Sequence, residues 1–147
     1  MVEEFNRILI PTDGSDYTLE AVKKGLSLAK LVNAEVTAIF VVDESAFSGI
    51  PADSMITDVY SILENEGQAA IDTVVEMGER MGVVVSSRIV HGTPAREIVA
   101  EAKGHDIIVM GTLGRGGIEH LLLGSVAEQV VRHASCPVML IRMPKTE

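Results

Sequence analysis

The sequence predicts an α/β fold in which helices cover both faces of a single open parallel sheet of five strands. Three observations carry this expectation. Short β-branched apolar runs alternate with longer stretches whose apolar residues recur at helical spacing. Runs such as Ala38 to Val42 are continuous in apolar residues, as strands buried on both faces require. The two most unusual loops, Pro11-Thr12-Asp13-Gly14-Ser15 and Gly111-Thr112-Leu113-Gly114-Arg115-Gly116-Gly117, each follow such a run, where open α/β sheets carry ligands.

Taken in order, Arg7 to Thr12 (RILIPT) reads as strand 1, cut by Pro11 and the polar turn behind it. Helix 1 follows with Leu19, Val22, Leu26, Ala29 and Val32 on one stripe. Glu35 to Val42 is strand 2. Asp43 to Ile56 has no period and reads as a long loop, a kind of segment that is often functional in compact domains. An amphipathic helix spans about 58–81, carrying Val59, Ile62, Leu63, Ala70, Val74 and Met77, and Gly82 ends it. Val83 to Val90 is strand 3. Thr93-Pro94 opens a short helix to Lys103 as an N-cap with proline at the first helical position. Strand 4 is Ile107 to Met110, the last helix Ser125 to His133, and strand 5 Pro137 to Ile141.

The 147 residues fit one domain, 1–147, with enough chain for a core that needs no staples. A formal net charge of −9 argues against nucleic acid as a partner, and 3% aromatics supply no base-stacking platform. The apolar runs are far shorter than the roughly 20 residues of a membrane span. The acidic start, Met1 to Arg7, has no export leader, and the lone Cys136 forms no internal disulfide; together they predict a cytoplasmic protein.

The charge is uneven. Residues 1–79 hold 4 basic and 15 acidic side chains, whereas 80–147 hold 8 and 6, so the back half tolerates an anion better. Five of the 13 glycines (Gly111, Gly114, Gly116, Gly117 and Gly124) also fall there, within 14 residues. Glycines let backbone N–H groups approach a phosphate, and the helix start at Gly124-Ser125 adds unsatisfied donors and a partial positive charge. The familiar phosphate motifs are absent. Gly111 and Gly116 have P-loop spacing, but Gly117-Ile118 stands where Lys-Ser/Thr is needed, and a dinucleotide fingerprint from Gly114 meets Glu119 at its third glycine.

Gly111-x-x-Gly114, then nine residues to Gly124-Ser125, occurs with Pro11-Thr12-Asp13-Gly14-Ser15 after strand 1, Val41-Val42-Asp43 after strand 2 and Cys136-Pro137-Val138 at strand 5. This combination resembles the ATP-binding branch of the universal stress protein family from Ile8 to Arg142. The resemblance implies a Rossmann-like sheet of order 3-2-1-4-5, an ATP or AMP site, and a homodimer joined through strand 5 (Val138, Met139, Leu140, Ile141). It further implies that Pro11, Thr12, Asp13 and Val41 hold the adenine and ribose end. Gly111, Gly114, Arg115, Gly124, Ser125 and Val126 would hold ribose and phosphates. Leu113 departs from the family, which often has a polar residue there. Mg or Mn accompanying ATP would bridge its phosphates to Thr12, Asp13 or Ser125. No Walker lysine, Ser-His-Asp arrangement or evident base for water is present, so the expected activity is a nucleotide-dependent stress-response switch, acting on an unknown protein partner, with at most weak ATP hydrolysis.

Plainer roles stand beside these. Ser125-x-x-Glu128 reads as a capping box, Asp13 as a turn-stabilising Asx residue, Asp43 as a loop residue and Arg115 as a solvated cation. His91, His105, His120 and His133 lack zinc spacing, and Cys136 reads as a buried strand-entry residue. Two other functions remain: a nucleotide-free interaction module, which the glycines oppose, and a phospho-acceptor domain, which lacks an acceptor aspartate after strand 3 and a lysine after strand 5.

Overall fold

The computed structural model describes residues 4–45, 54–114 and 122–143. Five strands, β1 (Arg7–Pro11), β2 (Glu35–Asp43), β3 (Val85–Gly92), β4 (Ile107–Gly111) and β5 (Val138–Ile141), form one sheet of order β3-β2-β1-β4-β5. Every pairing is parallel, with Ile8 opposite Val36 on one side of β1 and Ile107 on the other. Between the strands run α1 (Asp16–Val32), α2 (Ser54–Met81), α3 (Pro94–Ala102) and α4 (Ser125–His133).

The strand order dictates the layers. Right-handed crossovers put α1 and α2 on one face while the chain moves outward to β3, and put α3 and α4 on the other when it returns past β1 to β4. Two apolar clusters result. Ile8, Ile10, Val36, Ala38, Phe40 and Val109 pack beneath Val22 and Leu26 of α1 and Ile71 and Val74 of α2. Leu9, Ile39, Ile108 and Met110 point the opposite way, toward Ile98 of α3 and Ala127 and Val130 of α4. Both clusters draw on β1, whose Ile8, Leu9 and Ile10 are fully buried. No helix among the described residues is long and apolar enough to cross a membrane.

The predicted elements are all present, with informative differences at their edges. The buried stripe of α1 runs through Thr18, Ala21, Val22, Gly25, Leu26 and Ala29, and Val32, expected on it, is exposed. Helix α2 begins at Ser54, four residues before its apolar period, and 46–53 of the expected loop lie outside the described residues. Strand β3 starts at Val85 rather than Val83 because the end of α2 consumes the intervening residues. Gly82 takes φ +74°, its N–H donates to the Glu79 carbonyl (3.2 Å), and the Val83 N–H donates to the Gly78 carbonyl (2.8 Å).

Candidate functional site

The sheet reverses its winding between β1 and β4, so the loops leaving their carboxyl ends face one crevice. At the β1 end, the Thr12 N–H still bonds the Ile39 carbonyl (2.9 Å), after which the chain turns sharply, with Gly14 at φ +81°. Asp13 closes this turn. Its Oδ1 accepts from the Ser15 N–H at 2.9 Å, the expected Asx arrangement, and from the Thr18 hydroxyl at 3.0 Å. The Thr12 hydroxyl accepts from the Gly14 N–H at 3.2 Å.

At the β4 end, the Thr112 N–H bonds the Ile141 carbonyl (3.1 Å), and the Gly124 N–H bonds the Thr112 carbonyl (2.7 Å), bringing the start of α4 back over the sheet. A β-carbon on Gly111 would lie 3.1 Å from the carbonyl oxygens of Leu113 and Tyr17, and one on Gly124 3.1 Å from that of Thr112. These neighbours are backbone, so close approach within the chain itself calls for glycine at both positions. Arg115, and with it 115–121, lies outside the described residues.

One expectation is corrected here. Ser125 is the first residue of α4 rather than its cap: Gly124 takes the cap conformation (φ −74°, ψ 165°), the cap position makes no side-chain hydrogen bond, and the Glu128 N–H donates to the Gly124 carbonyl at 3.0 Å. Glycine is an acceptable cap, so no capping box is needed. Ser125 is exposed and lines the crevice instead. Thr93 does cap α3, with Pro94 at its first position, though through backbone conformation and without a side-chain bond.

The crevice is a cleft of about 670 Å³, within the range of small-molecule sites. Pro11, Thr12, Asp13, Val41, Gly111, Gly114, Gly124, Ser125 and Val126 all line it. Leu113 does too, as do residues that motif reading did not single out: Thr18 of α1, Leu63 and Glu66 of α2, and Pro94 and Ile98 of α3. Leu63 carries the signal of an apolar helical stripe and Pro94 that of a helix start, neither of which says that the position borders a cleft, and Glu66 carries no such signal. Asp43, read as a loop residue, is the last residue of β2; its carboxylate accepts the Ser45 N–H (2.9 Å) while it borders the cleft.

The described charged residues lining the cleft are Asp13, Asp43 and Glu66, all acidic. Among the described residues, donors for an anion are therefore hydroxyls such as that of Ser125 and the backbone N–H groups of the first turn of α4, which have no intrahelical partner. The other side chains considered fall elsewhere. No group of three His, Cys, Asp or Glu among the described residues is arranged to hold a metal. His105 is buried and bonded through its two ring nitrogens to the Glu101 carbonyl (2.9 Å) and the Thr37 hydroxyl (2.8 Å). Burial, then the nearby Asp106 carboxylate, pushes the Cys136 thiol above its ordinary pKa, which suits an inert residue.

Comparison with known proteins gives consistent results. The profile of the universal stress protein family matches residues 4–142. A universal stress protein of Methanocaldococcus jannaschii is 48% identical over 145 residues, covering 97% of this chain and 85% of that protein. The solved structure of MJ0577, another universal stress protein of that organism, superposes with TM-score 0.86 at 30% identity, covering 98% of this chain and 100% of the other. A universal stress protein family structure from Arabidopsis thaliana, which has AMP bound, shares the fold at TM-score 0.67 and 20% identity, covering 95% and 92%.

Proposed function

The chain belongs to the universal stress protein family, and from that premise we propose that it binds ATP or AMP in the cleft between β1 and β4. The observation that carries the reading is the convergence on one cleft of the β1 turn, the tightly packed glycines of the β4 loop and the start of α4. In this reading the base and ribose lie against Pro11, Thr12, Asp13 and Val41. The phosphates lie against Gly111, Gly114, Gly124, Ser125 and Val126, with Arg115 from the adjoining segment. The AMP-bound Arabidopsis neighbour has the same fold, which makes an adenine nucleotide the natural ligand to test first.

The acidic lining suits a divalent ion brought in by ATP. Thr12 and Asp13 offer hard oxygen donors, and such an ion would offset the repulsion between phosphates and the Asp13, Asp43 and Glu66 carboxylates. With no Walker lysine or Ser-His-Asp arrangement in the sequence, hydrolysis would be slow at most, and the protein would act in the cytoplasm as a nucleotide-dependent switch toward a protein partner. Strand β5 is a sheet edge with Met139 40% exposed. An apolar edge of this kind calls for pairing or cover, and a second copy across a two-fold axis would provide it.

Calorimetry with ATP and AMP, each with and without Mg, tests the reading. Wild type should bind, and Gly124→Val, whose side chain would press on the Thr112 carbonyl, should bind much more weakly while remaining folded. Equal weak binding by both proteins would remove the site.

A further inference from the structure

Thr18 has no part in the motifs above. It is the third residue of α1, is 8% exposed, and lines the cleft from behind the β1 turn. A threonine inside a helix ordinarily satisfies its hydroxyl on the carbonyl three or four residues back. The Ser15 carbonyl is available at 3.1 Å, but the Asp13 Oδ1 lies at 3.0 Å, and the hydroxyl has one proton. A carboxylate is the stronger acceptor, so the proton goes to Asp13. The Thr12 to Thr18 hydroxyl contact (3.3 Å) then runs from Thr12, and the Thr12 oxygen accepts the Gly14 N–H (3.2 Å). The Asp13 N–H also donates to the Thr18 hydroxyl, at 3.4 Å. Donors from Gly14, Thr12 and Thr18 thus point in sequence toward one carboxylate oxygen, which the Ser15 N–H holds from a second side at 2.9 Å.

Two bonds on Oδ1 restrict rotation of the carboxylate, and Oδ2 faces the β4 loop, 2.8 Å from where a β-carbon would stand on Gly114. We propose that Thr18 is a positioning residue of the nucleotide site: it holds the Asp13 carboxylate toward a hydrogen-bond donor of the ligand, either a ribose hydroxyl or the amine of the base. This inference rests on the nucleotide reading of the cleft and deepens it, because it makes discrimination between ligands depend on a residue of α1 that acts only through Asp13. A buried threonine with a purely structural role would affect melting temperature alone, or would weaken all ligands alike.

The test is equilibrium binding of ATP, 2′-deoxy-ATP, 3′-deoxy-ATP and inosine triphosphate to wild type, Thr18→Val, Thr18→Ser, Asp13→Asn and the Thr18→Val/Asp13→Asn double variant, with thermal melts alongside. Thr18→Val should weaken ATP roughly 10- to 150-fold, the scale of a lost bond to a charged group. Thr18→Ser should restore ATP affinity to within about twofold of wild type, because it keeps the hydroxyl. The double variant should bind no more weakly than Asp13→Asn. Wild type should discriminate against one analogue, a deoxy form if the ribose is read and inosine if the base is, and Thr18→Val should flatten that ratio. Unchanged ATP affinity in a folded Thr18→Val, losses that multiply in the double variant, or wild type treating all four ligands alike would each overturn the inference. Should Thr18→Val not fold, Thr18→Ser failing to restore both affinity and ratio overturns it equally. A wild type that binds none of the four removes the nucleotide reading and this inference together, a result distinct from all the others.

Discussion

The Oδ2 of Asp13 and the α-carbon of Gly114 face each other so closely that a β-carbon on Gly114 would lie 2.8 Å from the carboxylate. The two residues come from loops about 100 positions apart, so this contact joins the two halves of the cleft. Gly114→Ala should force the carboxylate off its bonds with Ser15 and Thr18 and weaken nucleotide binding by roughly tenfold, the scale of a bond to a charged group. Gly104→Ala is the control, since its β-carbon would have no heavy atom nearer than 3.9 Å and should leave affinity unchanged. Fluorescence titration with a labelled ATP measures both.

Gly25 tests the packing behind the site. A β-carbon there would come 2.5 Å from Cδ1 and 3.1 Å from Cγ1 of Ile10, which is fully buried and has no room to move away. Gly25→Ala gains up to about 1 kcal/mol of helix propensity but overpacks the core by about 1–3 kcal/mol, so a net loss near 1 kcal/mol is expected. Ile10→Val removes Cδ1, so the double variant should lose less than the sum of the singles in urea denaturation.

Ser125 separates capping from ligand binding. Because Gly124 holds the cap position, Ser125→Ala should change the melting temperature little, with a stability effect below about 0.5 kcal/mol rather than the roughly 1 kcal/mol of a lost cap. Nucleotide affinity should nevertheless fall measurably in the calorimeter.

These cases show which features the sequence made legible. Strand and helix identities followed from continuous apolar runs and helical periods, because parallel strands buried on both faces and one-sided helices leave those patterns directly. The strand order rested instead on resemblance, since no local pattern states which strand lies beside β1. Ser125 looked like a cap because Ser-x-x-Glu describes spacing, and spacing is unaltered when the cap shifts one residue back to glycine. Thr18 escaped notice for a related reason: in sequence it belongs to the helix, and only the turn at Gly14 brings its hydroxyl back to Asp13. Val83 reads as part of β3 from its apolar run, but the left-handed Gly82 turns its N–H back onto the end of α2.

The β5 edge yields a prediction about assembly. If a second copy pairs along Val138, Met139, Leu140 and Ile141, Met139→Lys should shift the protein toward monomer in analytical ultracentrifugation, because a charge would be buried at the two-fold interface. An unchanged sedimentation coefficient, whether monomeric or dimeric in both proteins, would argue against β5 as the joint.

Cys136 should be chemically quiet. Burial and the Asp106 charge both disfavour its thiolate, so alkylation by iodoacetamide at neutral pH should be slower than for a free thiol, and Asp106→Asn should accelerate it modestly. The sign also bears on stability: a thiol raised in the folded state loses its contribution as pH climbs through the folded value, so alkaline rather than acidic conditions expose it.

The most direct test of the central claim is a backbone-amide NMR titration of the purified protein with ATP and Mg. The account predicts saturable shifts concentrated at Asp13, Val41, Gly111, Gly114, Gly124, Ser125 and Val126, with those of the β4 loop and the α4 start reduced when adenosine replaces ATP. Absence of saturable shifts, or shifts clustered away from the β1 and β4 ends of the sheet, would contradict it.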